Sequence, residues 1–224
     1  MRKIILSIFS LLLSLPTLLA QENLTYQKPP QEILDLVDVP LAPSTILDSD
    51  GEMMIFLYRD QYKSIAELSE EELRLGGLRI NPVTNISSRA TYYNNLEVKE
   101  IEAETPTQVQ GLPENPRLSN FSWSPDESKI AFTHTTNTGV ELWVLDIENA
   151  QARKLTGANL NANMRDVINW FKDNSSVLVK MLPEDRKDLI DPETAVPTGP
   201  TISVSDGKEA QNRTYQDLLK NPND

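Results

Sequence analysis

The sequence predicts an all-β fold: a partial, incomplete β-propeller of about three blades that carries a short helical insertion and is preceded by a signal peptide. Three observations lead to this prediction. A stretch over residues 121–156 recurs in part 47 residues later, over Ile168–Lys180. A weaker copy lies upstream at Ile46–Phe56, and the chain opens with a short apolar segment. A period of about 40–50 residues is typical of propeller blades, which are four-stranded sheets arranged radially.

The first twenty residues have the pattern of a signal peptide. Two cations follow the initiating methionine, an apolar run spans Ile4–Leu15, and Ala20 precedes the expected cleavage site. Pro16 interrupts this run before it reaches the roughly 20 apolar residues that a membrane-spanning helix needs. We therefore expect cleavage after residue 20, a secreted or periplasmic protein, and no stable membrane anchor once the signal peptide is removed.

Residues 21–110 are predicted to hold an N-terminal segment and the first blade. The upstream copy gives a strand, an Asp-containing turn and an apolar strand, and its distance from the next copy leaves room for an insertion of about 30 residues. Within the insertion, Ser69 and Glu72 have the spacing of a capping box, and Gly76-Gly77 could end the helix that the box begins. We expect a short helix there, before a strand resumes at Leu78–Ile80.

Residues 111–224 are predicted to form the further blades. Phe121 and Trp123 alternate with polar neighbours, as a half-buried strand requires, and a turn rich in Pro, Asp and Ser follows. The alternation of apolar and polar residues then predicts three more strands, Lys129–Thr133, Val140–Asp146 and Arg153–Thr156.

The repeat pairs chemically similar residues. Trp123 is matched by Trp170, and Asp126 is matched by Asp173. We expect the two tryptophans to pack inward between neighbouring sheets. We interpret the two aspartates as exposed turn residues rather than as metal ligands or acid-base groups, because Asp side chains bond back to nearby amides in turns.

Composition excludes several classes of function. The chain carries 33 acidic and 21 basic residues, a formal charge of −12, and no Lys/Arg cluster, so a nucleic acid is not an expected partner. The acidic charge is expected to serve solubility. Cysteine is absent, which excludes disulfides, thiolate catalysis and cysteine metal sites.

No complete active site is visible in the sequence. Histidine occurs once, as His134 at the end of a predicted strand, and we interpret it as a surface or core residue because a triad also needs an oriented serine and an acid. The acidic segment Glu67–Glu72 is predicted to be a solvated helix face. Nucleophile-elbow, phosphate-loop and dinucleotide motifs are absent. The sequence therefore predicts no catalytic, cofactor-binding or metal-ligating residue, and no cofactor.

An ordered set of further motifs covers essentially the whole chain after the signal peptide. These motifs are Pro29–Pro40, Ile65–Leu68, Glu71–Ile80, Ser88-Arg89, Trp123–Asp126, Pro197–Pro200 and Arg213–Lys220. Together they resemble the opening of serine peptidases of the prolyl oligopeptidase family, and the most similar branch is the glutamyl endopeptidase-like one.

The resemblance implies a β-propeller placed before a C-terminal α/β-hydrolase domain that carries a Ser-Asp-His triad, and it implies that this chain is truncated before that domain. It further implies that the full-length protein hydrolyses peptides, with a preference for Glu suggested by the branch. The propeller would act as a gate and scaffold that limits access to the active site. This chain alone is expected to be inactive, since its peptide substrates would be reached only through the missing domain.

Two other classes of function stay open. One is a non-enzymatic secreted propeller that binds partners through its central face, and the other is an adaptor that assembles with a separately encoded hydrolase. A ring closes with four to eight blades, so about three blades are expected to leave an open propeller that self-associates. Near the end of the chain, Thr214 and Asp217 have the spacing of a helix start. We interpret the chain as an incomplete gene product or as the first part of an interrupted reading frame.

Overall fold

The computed structural model describes residues 27–187 and 206–207, so the predicted signal peptide and the predicted helix start at Thr214 lie outside the described residues. The chain divides into two units, the first ending at Pro40 and the second beginning at Leu41. In the first unit, α1 spans Gln31–Val37 and follows Pro30, which suits a helix start because proline needs no amide partner. Among the described residues, none of the helices is long and apolar enough to cross a membrane.

The second unit consists mainly of short antiparallel strands. In chain order they are β1 (Ser44–Leu47), β2 (Met53–Tyr58), β3 (Leu73–Leu75), β4 (Leu78–Ile80), β5 (Asn95–Glu100), β6 (Thr107–Gln108), β7 (Leu118–Trp123), β8 (Lys129–Thr135), β9 (Val140–Asp146), β10 (Gln151–Lys154), β11 (Ile168–Trp170) and β12 (Val177–Val179), and the short helix α2 (Ile65–Leu68) lies between β2 and β3.

Two four-stranded sheets and two hairpins result. The first sheet has the order β1-β2-β5-β6, and the second has the order β7-β8-β9-β10, with neighbouring strands antiparallel throughout. The β3-β4 and β11-β12 pairs form separate two-stranded sheets. The predicted all-β character is therefore present, and no sheet among the described residues is closed on itself.

The second sheet is buried on both of its faces. In β8 and β9 nearly every residue is buried, although side chains alternate between faces along a strand. One face packs against the first sheet in a core cluster that includes Ile130, Phe132 and Leu145. The other face packs against the β11-β12 hairpin in a second cluster that includes Ala131 and Leu142. The second sheet is thus a layer between two neighbours.

The predicted tryptophan positions are confirmed by this packing. Trp123 packs against the cluster between the first and second sheets, and Trp170 packs against the cluster between the second sheet and the β11-β12 hairpin. Trp170 also donates its indole N–H to the carbonyl oxygen of Ser122 at 3.0 Å, which joins the hairpin to the edge strand β7. Each tryptophan therefore sits at the boundary between two successive units of the repeat.

The predicted capping box at Ser69 and Glu72 is wrong. The box is formed five residues earlier, where the hydroxyl of Ser64 accepts from the Glu67 amide at 3.2 Å and the Glu67 carboxylate accepts from the Ser64 amide at 3.0 Å. Ser69 is the C-cap of this helix, and its hydroxyl donates to the Ala66 carbonyl. The insertion does contain a short helix, as predicted, but it lies before Ser69 rather than after it.

Gly76-Gly77 does not end a helix either. The two glycines form the turn of the β3-β4 hairpin, with φ of 57° and 97°, and the pairing of Leu75 with Leu78 closes a two-residue loop. Two successive positive φ values are what such tight hairpin turns require, and glycine supplies them without strain. The predicted strand Leu78–Ile80 is confirmed as β4.

The prediction that Glu67–Glu72 is one solvated helix face is wrong as well. Only Glu67 belongs to the helix, and Glu72 accepts hydrogen bonds from Ser88, Arg79 and Arg74 at 2.5, 2.7 and 3.0 Å. The hydrogen bond from Ser88, followed by that from Arg79, lowers the pKa of the Glu72 carboxyl to about 2. The end of the acidic segment therefore anchors the β3-β4 hairpin.

The outer strand of the second sheet is shifted from its predicted position. The prediction was Arg153–Thr156, whereas β10 spans Gln151–Lys154 and pairs Gln151 with Asp146. Ala152 is buried in the cluster between the first and second sheets. Because a shift by one residue would turn Ala152 outward and a charged neighbour inward, burial of Ala152 favours the observed register.

Candidate functional site

Three hairpin turns repeat with the same backbone geometry at one end of the sheets. The turns are residues 48–53, 124–129 and 171–176, and each closes with a hydrogen bond from the amide of its first residue to the carbonyl of its last residue. These bonds join Asp48 to Met53 at 3.2 Å, Ser124 to Lys129 at 2.9 Å and Phe171 to Ser176 at 2.9 Å. A residue with positive φ follows at the same place in each turn, namely Gly51, Glu127 and Asn174. The third copy in the sequence is thus matched by a third copy in the structure.

The repeated aspartates are turn residues, as predicted. Asp126 accepts from the Ser124 hydroxyl at 2.7 Å and from the Ser128 amide at 3.2 Å, and Asp173 accepts from the Ser176 hydroxyl at 2.7 Å and from its amide at 2.9 Å. The serine hydroxyl bond is the main cause that lowers the pKa of each carboxyl, and for Asp173 the pKa falls to about 2. Both aspartates are exposed.

Successive turns also contact each other. Ser49 donates its amide and its hydroxyl to one carboxylate oxygen of Glu127 at 2.9 and 2.8 Å. The Asp126 amide donates to the side-chain oxygen of Asn174 at 3.2 Å. Glu127 therefore links the first turn to the second, and Asn174 links the second to the third. These two residues with positive φ thus have a structural role.

His134 lies buried beside a carboxylate. Its Nδ1 is 3.1 Å from Oε2 of Glu141, and its ring meets the Trp143 ring edge-on at 6.1 Å between centroids. Glu141 also accepts from the Trp143 indole at 2.9 Å and from Lys154 at 3.1 Å. Burial alone raises the pKa of the Glu141 carboxyl, but the hydrogen bonds from Trp143, His134 and Lys154 outweigh it and lower the pKa.

The side chains that the structure describes around Glu141 supply hydrogen bonds to its buried carboxylate, and none of them is a serine that could act as a nucleophile. An ionised carboxylate only accepts hydrogen bonds, so Nδ1 of His134, which is directed at Glu141, is assigned a proton. The prediction that His134 is not a catalytic base stays a prediction. Within residues 27–187 and 206–207, no group of three or more His, Asp or Glu side chains is placed to hold a metal ion.

A polar cleft of about 650 Å³ opens at the opposite end of the sheets from the three turns. It is lined by the loop that follows β2, by α2, by the segment before β5 and by the loop before β7. Its charged side chains are Arg59, Asp60, Lys63, Glu67, Glu70 and Arg117. The cleft thus gathers charged side chains of both signs from two stretches of chain, residues 59–70 and the loop before β7.

One wall of the cleft is fixed by Arg117. Its guanidinium pairs with Glu70 at 3.0 Å and lies over the Tyr92 ring, with Cζ 4.4 Å from the ring centroid. A guanidinium above an aromatic face is attracted by the ring quadrupole. Glu70 accepts in addition from the Asn81 amide group at 2.8 Å. The ion pair and the ring contact together connect the insertion to the start of β7.

Sequence reasoning missed this cleft. Its residues come from segments that are far apart in the chain and that carry no recognisable spacing. The one available signal is Pro116-Arg117, a turn residue and a cation just before a predicted strand, and it does not indicate a partner. The cleft forms where the ion pair of Glu70 with Arg117 ties the insertion to the start of β7.

The chain is similar in sequence to part of two plant proteins. It is 31% identical over 212 residues to the probable chloroplastic glutamyl endopeptidase of Arabidopsis thaliana, a match that covers 89% of this chain and 22% of that protein. It is 30% identical over 220 residues to the protein of the same description from Oryza sativa subsp. japonica, which covers 92% of this chain and 23% of that protein. The chain therefore spans less than a quarter of the length of these relatives.

Among solved structures, the acylaminoacyl peptidase of Pyrococcus horikoshii matches with a TM-score of 0.37 and 16% identity over 74% of this chain and 20% of that one. No protein-family model matches the chain. The plant matches support the resemblance to peptidases of the prolyl oligopeptidase family that the sequence motifs carry.

Proposed function

We propose that this chain is part of the β-propeller of a serine peptidase of the prolyl oligopeptidase family, where it serves as a gate and scaffold for peptide hydrolysis. The similarity to two glutamyl endopeptidases along about nine tenths of the chain supports the family, and a preference for Glu is proposed from the same names. The hydrolytic residues are proposed to lie in a part of the protein that this chain does not contain.

The observation that carries the propeller proposal is the layered packing of the repeated units. The second sheet packs between the first sheet and the β11-β12 hairpin, and three equivalent turns are linked in series at one end. Sheets arranged radially around an axis bury both faces against their neighbours in this way and leave only short, protected edges. We take the β11-β12 hairpin as the start of a third blade.

Labelling with a serine-directed fluorophosphonate tests the peptidase proposal. The gene product that contains this chain together with the proposed hydrolase domain should be labelled, and it should cleave a short peptide that contains Glu. The present chain alone should neither be labelled nor cleave the peptide, because the nucleophile and the oxyanion hole are proposed to lie elsewhere. Labelling of the present chain, or no labelling of the longer product, would contradict the proposal.

The gating role requires a separate test in the longer product. Trp170→Ala should loosen the boundary between the second sheet and the β11-β12 hairpin, because it removes the indole contact with Ser122. We expect cleavage of a folded protein to rise relative to cleavage of a short peptide. If the variant still folds and its rate of folded-protein cleavage relative to short-peptide cleavage is unchanged, the result would argue against a gate.

Export is proposed from the N-terminal pattern. The proposal is a secreted or periplasmic protein whose first twenty residues are removed, leaving Gln21 at the N-terminus. Mass spectrometry of the protein recovered outside the cytoplasm measures the N-terminus directly. Recovery only in the cytoplasm, with Met1 retained, would show that the segment is not a signal peptide.

A further inference from the structure

We propose that the polar cleft at the end of the first two sheets is a binding site for a carboxylate group of a peptide, with Arg59 and Lys63 as its principal cations. The proposal rests on the proposed peptide-handling function, and it adds the part of this chain that would contact a peptide and the chemical group that would be recognised.

The cleft has the size of a ligand site. Its volume of about 650 Å³ lies inside the range of about 300–1,000 Å³ that is usual for small-molecule and cofactor pockets. Tyr62, Tyr92 and Tyr93 line it together with the charged residues, so it offers aromatic surface beside polar groups. Tyr62 is 69% exposed and is therefore available to a ligand.

The cations of the cleft are largely uncommitted. Arg59 forms no hydrogen bond or ion pair with any part of the chain that the structure describes. Lys63 reaches only the carbonyl oxygen of Ala90, at 3.4 Å, which is beyond the usual range for such bonds. Arg117 is different, because its pairing with Glu70 and its contact with Tyr92 hold it in the wall.

The carboxylates of the cleft, in contrast, are engaged. Asp60 accepts from the Asn94 side chain at 3.0 Å, Glu67 caps α2 by accepting from Ser64, and Glu70 pairs with Arg117. An incoming anion would therefore meet two cations that form no ion pair within the described residues and three carboxylates that already accept hydrogen bonds. That asymmetry favours a ligand carboxylate over a ligand cation.

The background charge of the molecule opposes the binding of an acidic peptide, so the cleft must supply the attraction locally. The chain has a formal charge of −12, whereas the six charged residues that line the cleft balance one another. An acidic peptide is repelled by the rest of the surface, so local contacts rather than long-range steering must hold it. Screening by salt should weaken such exposed contacts, since the Debye length is about 10 Å at 0.1 M ionic strength.

Calorimetric titration of the full chain with three short peptides tests the site. The first peptide carries an internal Glu and has both ends blocked, the second replaces Glu by Gln, and the third carries Gln with a free C-terminal carboxylate. A site for a side-chain carboxylate binds only the first peptide, and a site for a chain terminus binds only the third. In either case, raising the salt concentration should weaken binding.

The double variant Arg59→Gln/Lys63→Gln should weaken binding of the preferred peptide by about tenfold or more, since it removes both charge-assisted hydrogen bonds to the ligand carboxylate. Arg153→Gln/Lys172→Gln is the matched control, because both residues are exposed, lie outside the cleft and have no ion pair within the described residues. Circular dichroism checks that both variants stay folded.

Equal binding of all three peptides, no binding of any peptide, or equal losses in the two double variants would each overturn the site. These outcomes are distinct from failure of the proposed function. A longer product that is not labelled by fluorophosphonate can still bind the acidic peptide through this chain, and a labelled product can lack this binding.

Discussion

The residues with positive φ in the three turns show how little sequence identity a repeated backbone needs. Gly51, Glu127 and Asn174 occupy the same place and share the left-handed conformation, although their side chains have nothing in common. Glycine reaches this conformation freely, and asparagine is tolerated there more readily than most residues. Glu127 is the unusual choice, and its two hydrogen bonds from Ser49 give it a role that glycine could not fill.

Gly51→Ala should lower the free energy of unfolding by about 1–2 kcal/mol, which is the cost of the left-handed conformation for a residue with a Cβ. The cause would be conformational alone, because an added Cβ at Gly51 meets no atom within 4 Å. Gly157→Ala is the control, since that position has no positive φ and its nearest contact would be 3.9 Å away. Urea denaturation of both variants decides the matter, and equal stability would contradict the explanation.

Glu72→Gln should destabilise the chain at neutral pH and lose its effect in acid. The folded-state pKa of about 2 lies below the ordinary 4.5, so the stabilisation by ionised Glu72 is complete above about pH 4.5 and is lost as the pH falls towards 2. Thermal unfolding should therefore separate the variant from the native chain at pH 7 and bring them together near pH 2. Glu71→Gln is the control, because Glu71 is exposed and no hydrogen bond or ion pair of its side chain is found among the described residues. A gap in melting temperature that is the same at every pH would point to a packing effect instead.

At the scale of elements, the sequence predicted strands well where alternation and a repeat coincide. The prediction for β9 was correct at both ends, and β1, β2, β7 and β8 were placed within a few residues. The strand β5 was missed because the charged residues of Asn95–Glu100 mask the buried pair Leu96 and Val98. A half-buried strand can carry charged residues at its outward-facing positions. Composition alone therefore does not reveal such a strand.

The helix of the insertion shows a different cause of error. The sequence offers two capping-box patterns in succession, Ser64 with Glu67 and Ser69 with Glu72, and local spacing cannot choose between them. The choice is made by the β3-β4 hairpin, which needs Gly76-Gly77 for its turn and uses Glu72 as its anchor. The cleft depends on the same tertiary arrangement, which explains why none of its cations could be predicted as a site.

Phe132→Ala should lower the free energy of unfolding by about 3–5 kcal/mol, the usual cost of emptying a buried aromatic position. Phe132 is fully buried and continues a series of ring contacts, with centroids 5.7 Å from Phe121 and 6.4 Å from Trp143. Phe171→Ala is the matched control, because Phe171 is 51% exposed and should change stability by about 0.5 kcal/mol or less. Comparable losses in the two variants, measured by denaturant unfolding, would show that the second sheet is not the layer on which stability depends.

For the whole molecule, the layered packing has a consequence at the β11-β12 hairpin. One face of the hairpin packs against the second sheet, and the other presents Leu178, which is 60% exposed. Phe171 and Met164 nearby are about half exposed. In the proposed propeller a further blade would cover this face, whereas in the present chain its apolar groups would be open to other molecules.

We therefore expect residues 21–224 to self-associate more strongly as salt is added. Removing Arg2 and Lys3 with the signal peptide changes the formal charge from −12 to −14, and this charge keeps molecules apart only while it is unscreened. Leu178→Lys should reduce association, because it places a charge on the open face, while Tyr62→Lys at the cleft should not. Sedimentation at low and high salt measures the difference. A monomer that unfolds in one sharp transition under both conditions would show that the hairpin face needs no neighbour, and the proposal of an open propeller would then lose its physical basis.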